Sequence, residues 1–98
     1  MDGVYRFHFK DKIDARDIEE RLCWAVFNAE SLFGKPRVRL DVSLYFDQDK
    51  KSCVIDKSTD VGRHIAQVFT SLVCREFGEE SFTVERLPSK ANEKQGSE

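Results

Sequence analysis

The chain has 98 residues, 40% of them hydrophobic, with 16 Lys+Arg against 18 Asp+Glu for a formal net charge of −2. That length accommodates one small domain around one core and excludes a second lobe or a deep interdomain cleft. The near balance of charge excludes strong non-specific attraction to nucleic acid or to an anionic membrane, because both draw on uncompensated Lys and Arg.

No run of about 18 apolar residues occurs, so no membrane span is expected. Met1 to Arg6 lacks the apolar stretch of a signal peptide, which points to a cytoplasmic chain. Cys23, Cys53 and Cys74 are an odd number and too far apart for a CxxC metal motif, so they read as free thiols.

Val4 to Lys10 alternates strictly, with Tyr5, Phe7 and Phe9 on one face and Arg6 and His8 on the other, the pattern of a half-buried strand. Asp14 then offers an N-cap, with Ile13 and Ile18 placed as a hydrophobic staple, so a helix begins near Ala15. Gly34 followed by Pro36 predicts its end near Phe33.

From Arg37 to Phe46 the alternation returns, predicting a strand with Val38, Leu40, Val42, Leu44 and Phe46 inward and Arg39, Asp41 and Tyr45 outward. After a polar turn, Ser52 to Asp56 reads as the return strand of a hairpin. A cluster of capping residues, 57–60, precedes a helix over 61–77 that Gly78 closes. Ser81 to Leu87 alternates once more, Pro88 ends it, and residues 89–98 read as a disordered tail outside a single domain over 1–88.

The order β-α-β-β-α-β over residues 4–87 resembles the split βαβ arrangement of the ferredoxin-like fold, an α+β architecture. The resemblance implies two helices on one face of a four-stranded antiparallel sheet, and right-handed crossovers imply the strand order 4-1-3-2. The hairpin-then-helix passage from Val42 to Val73 also loosely resembles the tunnelling-fold pterin enzymes, but their His triad and Glu are missing and only His8 and His64 are present.

The ferredoxin-like fold hosts many functions, so its known chemistries must each be sought in local residues. An acylphosphatase needs a glycine-rich phosphate loop with an Arg after the first strand, where this chain has Lys10-Asp11-Lys12. The copper chaperones need a CxxC there, and RNA-recognition motifs need stacking aromatics on the third strand, which here is Ser52-Cys53-Val54-Ile55-Asp56. No cofactor and no metal site is expected, and nucleic acid is an unfavoured partner.

Two surfaces remain. The open sheet face gathers Arg6, His8, Arg39 and Glu85, a mixed set of donors and acceptors able to take a small polar ligand and otherwise a solvated face of cross-strand ion pairs. The helices carry more apolar residues than one sheet can cover, with Trp24 and Phe27 off the first helix's apolar arc and Val73 and Phe77 widening that of the second. Those four residues are the candidate interface. The expected role is a non-catalytic protein-interaction or regulatory module with a protein partner, most simply a homodimer, and the alternative is ligand binding or catalysis around His8.

Overall fold

A computed structural model describes residues 3–88, so the expected tail lies outside the described residues. Strand β1 (Val4–Phe9) leads to helix α1 (Ala15–Phe33), a short helix α2 (Lys35–Asp41), strands β2 (Leu44–Asp47) and β3 (Ser52–Asp56), helix α3 (Asp60–Phe77) and strand β4 (Phe82–Leu87), entered through a single 3-10 turn at Glu79–Ser81. All strand pairs are antiparallel, in the order β2-β3-β1-β4, which counted from the other edge is β4-β1-β3-β2. The chain is a small α+β domain with an open sheet and three helices.

Local chemistry sets the element ends. The Asp14 carboxylate accepts from the Arg16 amide at 2.9 Å, and the Thr59 hydroxyl accepts from the Gly62 amide at 3.0 Å, each satisfying a donor that a first helical turn leaves open. Gly34 and Gly78 close α1 and α3 at φ 92°, a backbone region that a side chain disfavours.

The expected strand over 37–46 is corrected in its first half. Residues 35–41 are helical, and only Leu44–Asp47 pair with β3. Gly34 ends α1 and is also the N-cap of α2, while Pro36 occupies the first turn, where its missing amide costs no helical hydrogen bond. The pair Arg37–Asp41, 3.4 Å apart at helical spacing, supports α2. Val38 is buried as alternation implied, but Leu40, expected inward, is 83% exposed because a helix turns it to the far side.

The core lies between the sheet and the helices. Phe7 and Phe69 are fully buried with rings 5.1 Å apart edge to face, and Phe9 stacks against Phe82 at 5.4 Å. Each such ring contributes on the order of 2–3 kcal/mol of burial. Around them close Ile18, Leu22, Ala25 and Ala29 of α1, Val61, Ile65 and Val73 of α3, and Cys53 and Ile55 of β3. Helices α1 and α3 run antiparallel, joined at one end by Asn28 and His64, 2.6 Å apart, and at the other by Arg21 and Glu76, 3.1 Å apart. No helix among the described residues is long and apolar enough to cross a membrane.

Candidate functional site

The open sheet face is built in rows fixed by strand register. One row runs Tyr45, Val54, Arg6, Glu85, and the next Asp47, Ser52, His8, Thr83. Alternation along β1 and β4 therefore brings Arg6, His8 and Glu85 together, as the register of neighbouring strands requires. The Glu85 carboxylate lies 3.4 Å from an Arg6 guanidinium nitrogen and 3.8 Å from His8 Nε2. All three side chains are about half exposed, so solvent screens these contacts to well under 1 kcal/mol apiece.

Arg39 does not join them. It sits in α2, away from the sheet, and so does Asp41, because the segment that was expected to be strand is helix. Beside Arg6 the face sinks into a shallow depression of about 400 Å³, lined by Val4, Arg6, Tyr45, Val54, Asp56 and Leu87 among others, and His8 lies outside it. Apolar Val4, Val54 and Leu87 could not be singled out by alternation alone, which assigned this face to polar residues.

The helical surface divides the four interface candidates. Val73, expected outward, is fully buried in the core, and Phe77 is half-buried, its ring 6.2 Å from that of Phe9. The end of α3 lies over the aromatic cluster, so its widened apolar arc meets rings rather than water. Trp24 is 50% and Phe27 62% exposed, one turn apart on the side of α1 away from its buried stripe. The Arg21 guanidinium is 5.4 Å from the Trp24 ring centre and 5.8 Å from that of Phe77, and it bonds Glu20 at 2.9 Å and Glu76 at 3.1 Å. It thus fixes the edge of the Trp24 surface to α3. Leu32 and Leu40 add further exposed apolar area.

Other chemistry is accounted for locally. At the start of α3, Thr59 caps Gly62, Asp60 bonds Arg63 and lies 3.6 Å from Arg37, and the carboxylates oppose an anion there. His64 stands edge-on to Phe33 and bonds Asn28, at the far end of the domain from His8. No cluster of three or more metal-ligating side chains occurs among the described residues. Cys23 is exposed and Cys74 half-buried, while burial pushes the Cys53 thiol up to about 12, where it stays protonated and unreactive. No protein-family model and no curated protein matches the chain.

Proposed function

We propose that this chain is a ferredoxin-like cytoplasmic domain, carrying an added short helix, that acts as a non-catalytic interaction module and docks a protein partner on the outer face of α1. Supporting the fold assignment are the element order and the row β4-β1-β3-β2 counted from the β4 edge. The observation that carries the function is the exposure of Trp24 and Phe27 side by side on a helix whose opposite side buries Ile18, Leu22, Ala25 and Ala29. Large aromatics standing in water on a small domain are the residues most often buried by a partner, and Arg21 of α1, itself bonded to Glu76 of α3, rests on the Trp24 ring.

Affinity capture with the wild type and with Trp24→Ala/Phe27→Ala, followed by identification and titration of what is retained, tests this reading. The expected result is one saturable partner lost from the double variant while the far-UV circular dichroism is unchanged. Trp24 is the chain's single tryptophan, so docking also shifts its emission to the blue. Equal retention by both proteins, or emission that stays fixed at saturation, overturns it.

The depression on the open sheet face supports a second reading, a small ligand with an apolar body over Val54 and an anionic group toward Arg6. Thermal-shift screening of aromatic carboxylates tests it. The reading requires a hit that Arg6→Met abolishes, and it fails if no carboxylate raises the melting temperature.

A further inference from the structure

The two edges of the sheet are built differently. β2 is four residues long and runs into the turn that Asp47 caps, so it presents little free ladder. β4 is six residues long, and no strand among the described residues pairs with its outer side. The direction of its backbone groups follows from β1. The Phe9 amide donates to Lys51 beside β3, whereas the Lys10 amide donates to Ser81, on the β4 side. Alternation then points Ser81, Thr83, Glu85 and Leu87 at β1, and turns the amides and carbonyls of Phe82, Val84 and Arg86 to the free edge. On the helical side of this edge an open groove of about 650 Å³ runs between β4 and α3, lined by Tyr5, Ala66, Gln67, Thr70, Val84 and Arg86 among others. Val84 faces the core side of the sheet yet is 43% exposed, because nothing among the described residues lies beyond β4 to cover it.

We infer that the β4 edge is a homodimer interface, in which two copies pair antiparallel about a two-fold axis at Val84 and join their sheets into one. Among the registers centred on Val84, Glu85 and Arg86, self-complementarity favours the first. Centred on Val84, the pairs Val84–Val84 and Phe82–Arg86 are both of the hydrogen-bonded type, each exchanging two bonds through groups already aimed outward. The two valines meet over the groove, and each Arg86 lies against the other copy's Phe82 ring. On the open face Thr83 stands opposite Glu85, a hydroxyl donor facing a carboxylate. A two-fold axis at Glu85 sets two carboxylates directly opposite and brings in Pro88, which has no amide, and one at Arg86 sets two guanidinium groups opposite. Arg86 is also an inward-pointing charge, which resists an arbitrary strand at this edge and is accommodated by the chain's own Phe82. This interface is separate from the α1 surface, so a dimer would present Trp24 and Phe27 twice.

Sedimentation velocity on the full chain tests the inference, using the wild type, Val84→Lys, Val84→Pro and Trp24→Ala/Phe27→Ala. Lysine at 84 places two ammonium groups across the axis. Proline at 84 removes the central outward amide and leaves the β1–β4 ladder intact, since Val84 contributes no bond to it. The wild type is expected to approach twice its 11.4 kDa mass as concentration rises. Both Val84 variants should weaken the dimer roughly tenfold or more, and the Trp24/Phe27 variant should dimerise as the wild type does. A wild type that remains monomeric up to about 1 mM overturns the proposal. So does a dimer untouched by Val84→Lys, or one that dissolves only in the Trp24/Phe27 variant. If Val84→Pro loses its circular dichroism, Val84→Lys decides.

Discussion

Helices α1 and α3 are nearly equal in length, 19 and 18 residues, lie side by side on one sheet, and both carry apolar residues beyond a single stripe. Their outcomes differ. α1 buries a narrow seam of Ile18, Leu22, Ala25 and Ala29 and leaves Trp24 and Phe27 in water, whereas α3 buries Val61, Gly62, Ile65, Ala66, Phe69 and Val73 and half-buries Phe77. The excess in α3 is structural because the Phe9 ring of β1 lies against Phe69 and Phe77. The excess in α1 has no such neighbour within the described residues. An apolar residue off the main arc of a helix is therefore core or surface according to what the other elements place beside it, and the wheel alone does not decide.

The largest expected effect tests the α3 side. Phe69→Ala removes a fully buried ring in contact with both Phe7 and Phe9, and should cost about 3–5 kcal/mol of stability in chemical denaturation. A loss below about 1 kcal/mol would mean that α3 does not pack against Phe7 and Phe9.

Next comes Gly62→Ala, also in α3. In an exposed helix this change gains up to about 1 kcal/mol. Here the added methyl would collide with the Asp56 carbonyl oxygen, so the close approach of α3 to the end of β3 must open. The expected result is a destabilisation of about 1–3 kcal/mol instead. A stabilised variant would show that the start of α3 is free to move away from β3.

The same contrast explains what could be read from the sequence. β1, both long helices with their caps, β3 and β4 were legible, because each has one dominant period and strong end signals such as Asp14, Gly34, Thr59 and Gly78. The segment after Gly34 was not, since the apolar alternation from Val38 to Phe46 is equally satisfied by a short helix that buries Val38 and a short strand that follows it. Pro36, read as a stop, is a start. The loss of Arg39 from the sheet-face cluster follows directly from that ambiguity, as does the exposure of Leu40. Val73 was misplaced for a different reason. It is fully buried within the core cluster, and helical periodicity carries no information about which elements close over a given position.

Smaller effects come from the thiols, which sample the surface, the helix layer and the core. A disulfide exchange reagent should label Cys23 fastest, Cys74 more slowly and Cys53 only on unfolding. Burial raises the Cys53 thiol from about 9 to about 12. In the unfolded chain it ionises near 9 while the folded chain still holds the proton. Its contribution to stability is therefore intact below about pH 9 and is lost as pH rises toward 12. Between pH 8 and 10, Cys53→Ala should lose about 1 kcal/mol less stability than the wild type, the other titrating groups being common to both. Equal slopes would mean that the thiol is hydrated in the folded state.

The smallest expected effect is on the α1 side, and it is the one that separates a surface from a core. Phe27→Ala should change stability by no more than about 0.5 kcal/mol, because the ring is 62% exposed and points away from the buried seam. Trp24→Ala should cost somewhat more, about 0.5–1 kcal/mol, since the Arg21 guanidinium rests on its ring and loses that contact. Arg21 keeps Glu76 and the Phe77 ring, so the α1–α3 junction survives the change. A cost of 2 kcal/mol or more at Phe27 would show that something covers this ring in the free chain, and the asymmetry between the two helices would disappear. A negligible cost, together with loss of a partner, would show aromatic area held in water by a fold that does not need it.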